Sequence, residues 1–368
     1  MKRLESFMIV LALSFYVWFL KHFGFKQIID YVWAAGWGLL LTISLESVAR
    51  VANTIGWRAT LCHGQRDLSF FQMLAARIAG EAIDYVTPSA QLGGDFLMAT
   101  MVRHKLSMPH GLASVVLAEL AQSIGQIIFL IVALLLSLRL EFRLGDISWL
   151  VLFGLIVTVG LPIAFLLVQL RRPFSHLWRA ADRLGLTFMR EAQSRLAAAQ
   201  ADALLLDFYA HRRVYLLVSS AWFLVGWAMG PVELYILLKL LHQSAPWQAV
   251  LLIEAVGMLI ERVTFVIPAK LVSQEGGKAL ILAMLGYPAG VGFAIGFLRR
   301  IKELVWVMFG LAVLTAHRFI TERAVGPAQS EAEHQSHSTS VVRTIPNSSI
   351  SSRRDAFPRH PQDVDGVQ

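Results

Sequence analysis

Charged side chains inside apolar sequence are the residues most able to do chemistry here. Arg299 and Arg300 lie about 15 Å into a predicted helix at 1.5 Å per residue, and Glu303 follows one turn after Arg299. A charge at mid-bilayer costs several kcal/mol unless it is paired or hydrated. One interpretation is that the arginines bind a phosphate or other anionic group, with Glu119 or Glu275 as counter-charge. The alternative is a structural salt bridge that holds helices together.

A second polar group lies in the first third of the chain. Arg77, Glu81 and Asp84 recur at a spacing that puts them on one face of a helix. Asp95 follows a few residues later. Glu119 starts a further polar stripe that continues through two glutamines. This stripe either lines a polar path or makes hydrogen bonds between helices.

Two broken segments must position these charges, because each group lies beside helix-breaking residues. Proline removes a backbone donor, and paired glycines lower helix propensity. Broken backbone at membrane depth is tolerated where protein or a wet cavity satisfies it, and transporters place substrate sites there. The breakers are Pro88, Gly93 and Gly94 in residues 84–95, and Pro268, Gly276 and Gly277 in residues 265–285.

The two broken segments follow one pattern, in which each continues to a further proline, Pro109 or Pro288, that opens a long apolar helix. Their spacing differs by a few residues, so the pattern suggests a repeat. The paired glycines first serve turn geometry, and their N–H groups also offer an anion site.

Composition indicates a polytopic membrane protein. The chain is 56% hydrophobic and 16% charged, with a mean hydropathy of +0.58, and it has many runs near the ~20 residues that span a bilayer. The net charge of +8 fits positive-inside loops and anionic lipid better than nucleic acid. The sequence has no P-loop, hydrolase or metal-site motif, so we expect no cofactor, no metal and no ATP hydrolysis.

The predicted fold is all-α, with about six full spans plus two re-entrant helical hairpins in an inverted repeat. The charge pattern puts both termini in the cytoplasm. A second span is expected over 28–49, followed by an arginine-bearing loop. Residues 171–213 form either an amphipathic helix on the cytoplasmic surface or a plain connecting helix. The membrane domain covers 1–320, and 321–368 is predicted to be a disordered cytoplasmic tail.

Several motifs resemble the flippase-like membrane domain of lysylphosphatidylglycerol synthases and their stand-alone relatives. The resemblance covers roughly 4–318 and is closest to the branch found with hopanoid biosynthesis genes in bacteria. Asp84 stands where that family often has Asn, and Leu120 where relatives often have Arg. The motifs are Gly80-Glu81, Pro88-Ser89, Gly93-Gly94-Asp95, Glu119, Phe265-Val266-Ile267-Pro268, Gln274-Glu275-Gly276-Gly277, Leu285-Gly286 and Arg299-Arg300-Ile301-Lys302-Glu303-Leu304.

The resemblance implies a multi-pass bacterial inner-membrane protein that translocates or handles a polar lipid. Only a short tail follows residue 318, so lysine transfer to lipid is not expected. The predicted head-group site combines the charged residues and glycines of both broken segments. Its residues are Arg77, Glu81, Gly93, Gly94, Asp95, Glu119, Glu275, Gly276, Gly277, Arg299, Arg300 and Glu303.

Two rival functions remain open. The first is a membrane enzyme acting on lipid head groups, with acid–base residues drawn from Glu81, Asp84, Asp95, Glu119 and Glu275. The second is a non-catalytic scaffold that recruits lipid-synthesis enzymes through 171–213 or the tail. An altered lipid made by the purified chain would favour the enzyme, and a complex lost on tail deletion would favour the scaffold.

Overall fold

The computed structural model describes residues 30, 33, 36–61, 68–86, 92–137, 148–183, 192–263 and 273–342. This part of the chain forms eleven helices and no strand, which confirms the all-α prediction. The helices are α1 (Gly38–Ala59), α2 (Phe70–Val86), α3 (Leu92–Met101), α4 (Met108–Ser137), α5 (Ser148–Gln169), α6 (Pro173–Arg183), α7 (Ala192–His211), α8 (Arg213–Leu240), α9 (Trp247–Val263), α10 (Ser273–Met284) and α11 (Ala289–Val342).

Three of the described helices are long and apolar enough to cross a membrane. They are α4, the Leu152–Gln169 part of α5, and α8. On α5, the apolar side chains Leu152, Phe153 and Ile156 are about half exposed or more, as expected where a helix faces lipid. The predicted number of six full spans and the sidedness of the termini remain predictions, and the first predicted span lies outside the described residues.

The boundary predicted for the second span is wrong. Helix α1 runs Gly38–Ala59, so Arg50 and Arg58 lie inside a helix and not in a loop after residue 49. Arg50 is tolerated there because it forms ion pairs with Glu46, 3.6 Å away, and with Glu81 of α2. The sequence predicted a loop here because arginines often follow a span at the membrane boundary, but a paired arginine is tolerated within a helix.

The repeated order of helices predicted from the breakers is present. Helices α2, α3 and α4 give a helix, a short helix and a long helix, and α9, α10 and α11 give the same order. Pro109 lies in the first turn of α4, where its missing N–H is not needed. The breaks at 87–91 and 264–272, with Pro88 and Pro268, lie outside the described residues. The re-entrant path and the inversion therefore remain predictions.

Helix α8 lies at the centre of the packing, against α1 and α4. Small residues allow this close approach. A Cβ on Gly56 of α1 would lie 2.9 Å from the Phe223 ring, and the Ser219 hydroxyl donates to the Gly56 carbonyl at 2.8 Å. Close packing through small residues and interhelical hydrogen bonds is the usual means of helix association in membranes.

Residues 171–213 fold as two helices, α6 and α7, whose connection at 184–191 lies outside the described residues. The Asp202 carboxylate on α7 accepts the N–H groups of Phe174 and Ser175 at 3.0 and 2.9 Å, and so caps the start of α6. Leu205 and Phe208 of α7 are buried together with Leu117 of α4. Helix α7 therefore packs on the helical domain, and the membrane-surface position of α6 remains a prediction.

The chain divides into two units, Met1–Thr315 and Ala316–Gln368. The first unit contains the packed helices that surround the candidate site. In the second, the described residues continue as helix to Val342. The predicted disordered tail at 321–368 and its cytoplasmic location remain predictions.

Candidate functional site

A cavity of about 360 Å³ lies among α1, α2, α3, α4, α8, α9 and α11. The cavity is lined by many carboxylates and few cations. This is unusual, because the helices around it belong to a domain with mostly apolar side chains. The cationic lining residues are Arg77, Arg299 and Lys302. The nine carboxylates are Glu46, Glu81, Asp84, Asp95, Glu119, Glu233, Glu254, Glu261 and Glu303.

Two glycines of α8 make room for polar groups of neighbouring helices at the cavity. A Cβ on Gly226 would lie 2.2 Å from the Asn53 side-chain oxygen, and one on Gly230 would lie 2.9 Å from Oε1 of Glu254. Any larger residue would displace these groups. The glycines therefore bring α1 and α9 to α8 with their polar side chains facing the same space.

Arg299 is held by two carboxylates and a carbonyl. Its Nη1 donates to Oε1 of Glu254 at 2.9 Å, its Nε lies 3.3 Å from Oε2 of Glu233, and its Nη2 donates to the Gly230 carbonyl at 3.0 Å. Only 5% of Arg299 is exposed. The rigid fork of donors suits this buried position, because several acceptors can be satisfied at once.

Lys302 continues the ion-pair network to α1. Its Nζ lies 2.7 Å from Glu46 and 2.9 Å from Glu233. Lys302 therefore joins α11 to α1 and α8 through two charge-assisted hydrogen bonds. Removing one partner from such a buried network leaves an uncompensated charge.

On the α2 side, Arg50 and Arg77 share one carboxylate. Both contact Glu81, with Nε of Arg77 at 2.9 Å from Oε1. Arg77 also donates to Oε1 of Gln122 on α4 at 2.8 Å, which confirms that the α4 polar stripe makes interhelical contacts. The guanidinium of Arg50 lies 4.5 Å from the centre of the Trp306 ring, a cation–π contact.

Arg300 has a different environment from Arg299. It donates to the Tyr85 hydroxyl and lies 3.2 Å from Glu303. Tyr85 lies at the end of α2, next to the first break, so Arg300 links the two halves of the repeat. The local pairing of Glu303 is thus with Arg300, three residues before it, whereas Arg299 turns to α8 and α9.

The first glycine pair serves a helix start. The Gly94 N–H donates to Oδ1 of Asp84 at 2.7 Å, and a Cβ on Gly94 would lie 2.1 Å from Oδ2 of Asp84. The anion at the N-terminus of α3 is therefore the chain's own carboxylate. At Gly277 a Cβ would make only ordinary contact, 3.4 Å from Ile260.

The structure brings half of the predicted site residues to the cavity. These are Arg77, Glu81, Asp95, Glu119, Arg299 and Glu303. Of the other predicted residues, Gly93, Gly94, Gly277 and Arg300 do not line it. The Glu275 side chain and the surroundings of Gly276 lie outside the described residues.

Sequence reasoning did not place Glu46, Glu233, Glu254 and Lys302 in the site, although Lys302 lies in the motif that begins at Arg299. All four are charged residues on helices that pack inside the domain. A systematic search for ionisable residues within apolar segments would have found them, because such residues mark functional sites by default. Among the described residues, no group of three His, Cys, Asp or Glu side chains could hold a metal ion.

Residues 6–312 match the family described as Lysylphosphatidylglycerol synthase TM region. The match covers most of the chain and contains the whole cavity, so the chain belongs to this family. No curated protein and no solved structure was found to match it. The family and the apolar helices together identify a membrane-embedded protein tied to lipid handling.

Proposed function

We propose that this member of the family translocates a polar lipid, with the lipid head group entering the acidic cavity. The observation that carries the proposal is the position of the cavity, which is lined from both halves of the helical repeat. Transporters with paired interrupted helices bind substrate between their halves. The exposed apolar faces of α4 and α5 would leave the lipid chains in the bilayer.

The charges of the lining favour a head group that donates hydrogen bonds, through hydroxyl or amino groups. Arg299 and Lys302 already contact carboxylates. An anionic head group held by Arg299, as the sequence suggests, would have to displace Glu233 and Glu254. Arg300 is engaged with Tyr85 and Glu303. Carboxylate oxygens, by contrast, are abundant in the lining and accept hydrogen bonds.

The biological setting is part of the proposal. We place the chain in the bacterial inner membrane as a multi-pass protein with cytoplasmic termini. Its resemblance to the hopanoid-associated branch supports a link to hopanoid metabolism, and lipid-synthesis enzymes are the proposed partners. The proposal includes no nucleic-acid partner.

Purified chain in liposomes tests the function. We expect labelled lipid to move between leaflets faster than in protein-free liposomes, and lipids with hydroxyl- or amine-rich head groups to move fastest. Gly230→Leu, which would push a side chain against Glu254, should slow the movement. Gly160→Leu is the matched control, because no atom lies within 4 Å of its Cβ position. Equal leaflet exchange with and without protein would contradict the proposal.

An enzyme acting on the lipid head group is the second candidate. It is favoured by the presence of Asp95 and Glu119 in one cavity, where a carboxyl pair could serve as acid and base. Mass spectrometry of the lipids recovered from the same liposomes separates the two. A new lipid species would support the enzyme, and unchanged lipid in the opposite leaflet would support translocation.

A further inference from the structure

The exposed side of α6 is basic. Arg179 and Arg183 lie four residues apart, and residues at this spacing share one face of a helix. Arg171 and Arg172 precede the helix, and all four arginine side chains are exposed. Among the described residues, none of the four forms an ion pair with a carboxylate. We call Arg171, Arg172, Arg179 and Arg183 the arginine surface.

The contacts between α6 and α7 turn the arginine surface outward. Trp178 on α6 donates from Nε1 to the Ser194 hydroxyl of α7 at 3.0 Å, and Asp202 of α7 caps the start of α6. The guanidinium of Arg195 lies 5.7 Å from the centre of the Trp178 ring, a cation–π contact. Because these contacts hold the Trp178 side of α6 against α7, the arginine surface is left exposed.

Both ends of the α6–α7 pair are joined to helices that can cross a membrane. The candidate span of α5 ends at Gln169, and only residues 170–172 separate it from α6. Arg172 has a φ of 59°, the left-handed conformation that commonly ends a helix, so α6 starts as a separate helix. On the other side, α7 ends at His211 and the candidate span α8 begins at Arg213. In a membrane-embedded protein, these short connections keep the pair near one membrane face.

An exposed leucine lies on the same helix as the arginines. The Leu177 side chain is 66% exposed, and Asp182 is the only carboxylate in residues 171–183. Helices that lie in the membrane interface combine basic and apolar side chains in this way. A soluble polyanion would be attracted by the arginines but would leave Leu177 in water, whereas an anionic bilayer accommodates both.

We propose that the arginine surface binds the phosphate groups of anionic phospholipids, with Leu177 inserted among their acyl chains. The guanidinium group suits this role, because its planar donors match phosphate oxygens in pairs. The site is separate from the cavity, where Arg299 and Lys302 already contact carboxylates. The inference does not depend on lipid translocation, because lipid bound at α6 anchors the helix pair without entering the cavity.

Quenching of Trp178 fluorescence by brominated lipids tests the site, with the full chain in phosphatidylcholine nanodiscs. The Trp178 signal is the fluorescence lost when Trp178→Phe is made in the same background. We expect brominated phosphatidylglycerol to quench this signal at a lower mole fraction than brominated phosphatidylcholine. An arginine near an anionic surface contributes about fivefold in affinity, so Arg179→Gln/Arg183→Gln should lower the preference about thirtyfold. Glutamine keeps the helix propensity of arginine.

Two control variants separate local binding from net charge. Arg179→Lys/Arg183→Lys keeps both charges and should retain most of the preference. Arg103→Gln/Lys105→Gln removes two charges from another exposed turn and should leave the quenching of Trp178 unchanged. Equal quenching by the two lipids in the wild type overturns the inference. A matching loss of preference in Arg103→Gln/Lys105→Gln also overturns it, because net charge would then explain the effect.

Hydrogen exchange provides a second readout that needs neither fluorescence nor transport. When phosphatidylglycerol replaces part of the phosphatidylcholine, the backbone amides of α6 should exchange more slowly in the wild type. They should exchange at an unchanged rate in Arg179→Gln/Arg183→Gln. Salt should reduce the difference, because it screens exposed charges. Exchange in α6 that ignores the lipid composition overturns the inference, whether or not the chain moves lipid between leaflets.

Discussion

The wall of the cavity built from α8, α9 and α11 places Arg299 and Lys302 between carboxylates, whereas α2, α3 and α4 contribute Arg77 together with Glu81, Asp84, Asp95 and Glu119. We call the first group, Glu233, Glu254, Arg299 and Lys302, the paired wall. Its contacts are short and almost wholly buried. Removing one member of a buried ion pair is strongly destabilising, because it leaves the other charge uncompensated. We expect the paired wall to have a structural role, and we propose that the head group contacts the lining residues of α2, α3 and α4.

The largest expected effect comes from breaking the paired wall. Arg299→Met leaves Glu233 and Glu254 without their shared partner, and removing one member of a buried network costs about 3–5 kcal/mol. Thermal unfolding in detergent should show this loss. Arg103→Met, at an exposed turn arginine, should unfold like the wild type. Equal unfolding temperatures for the two variants would contradict the structural role of the paired wall.

The two glycine pairs allow a second comparison between the halves. Gly94→Ala would put a Cβ 2.1 Å from Asp84 and 2.3 Å from the Gly80 carbonyl, so we expect a loss of about 1–3 kcal/mol from overpacking. Gly277→Ala meets only Ile260 at 3.4 Å and should be neutral or stabilising, since alanine favours helix by about 1 kcal/mol. A Gly277→Ala variant less stable than Gly94→Ala would show that the roles are reversed.

The smallest effect concerns the contact between α2 and α3. Asp84→Ala removes the acceptor of the Gly94 N–H and should cost about 1 kcal/mol, as for other helix N-terminal caps. Asp84→Asn keeps an oxygen at the same position and should cost less. Denaturant unfolding of both variants checks this order. If Asn is as damaging as Ala, the charge and not the hydrogen bond holds α3.

Periodicity and breakers were enough to predict the all-α class, the repeated helix order and the polar face of α2. They could not identify the partners of Arg299, because Glu233 and Glu254 are 66 and 45 residues away in sequence, on α8 and α9. A charge four residues along the same helix was the local alternative, and Glu303 instead contacts Arg300. Pairing between helices depends on packing through glycines such as Gly226 and Gly230, which have no local pattern.

Arg50 shows the same limit for topology. An arginine near the end of an apolar run normally marks a membrane boundary. Here α1 continues past it, since Glu46 and Glu81 neutralise its charge inside the domain. Sequence rules for membrane proteins therefore hold best where a charge has no partner on a neighbouring helix.

Photo-cross-linking of a lipid with a reactive group on its head tests the central claim most directly. After illumination of the reconstituted chain, digestion and mass spectrometry locate the adduct. The account predicts adducts on cavity residues such as Met98 and Met258, reduced by excess unlabelled lipid. Adducts confined to the lipid-facing surface of α5, around Leu152 and Phe153, would contradict a head-group site inside the cavity.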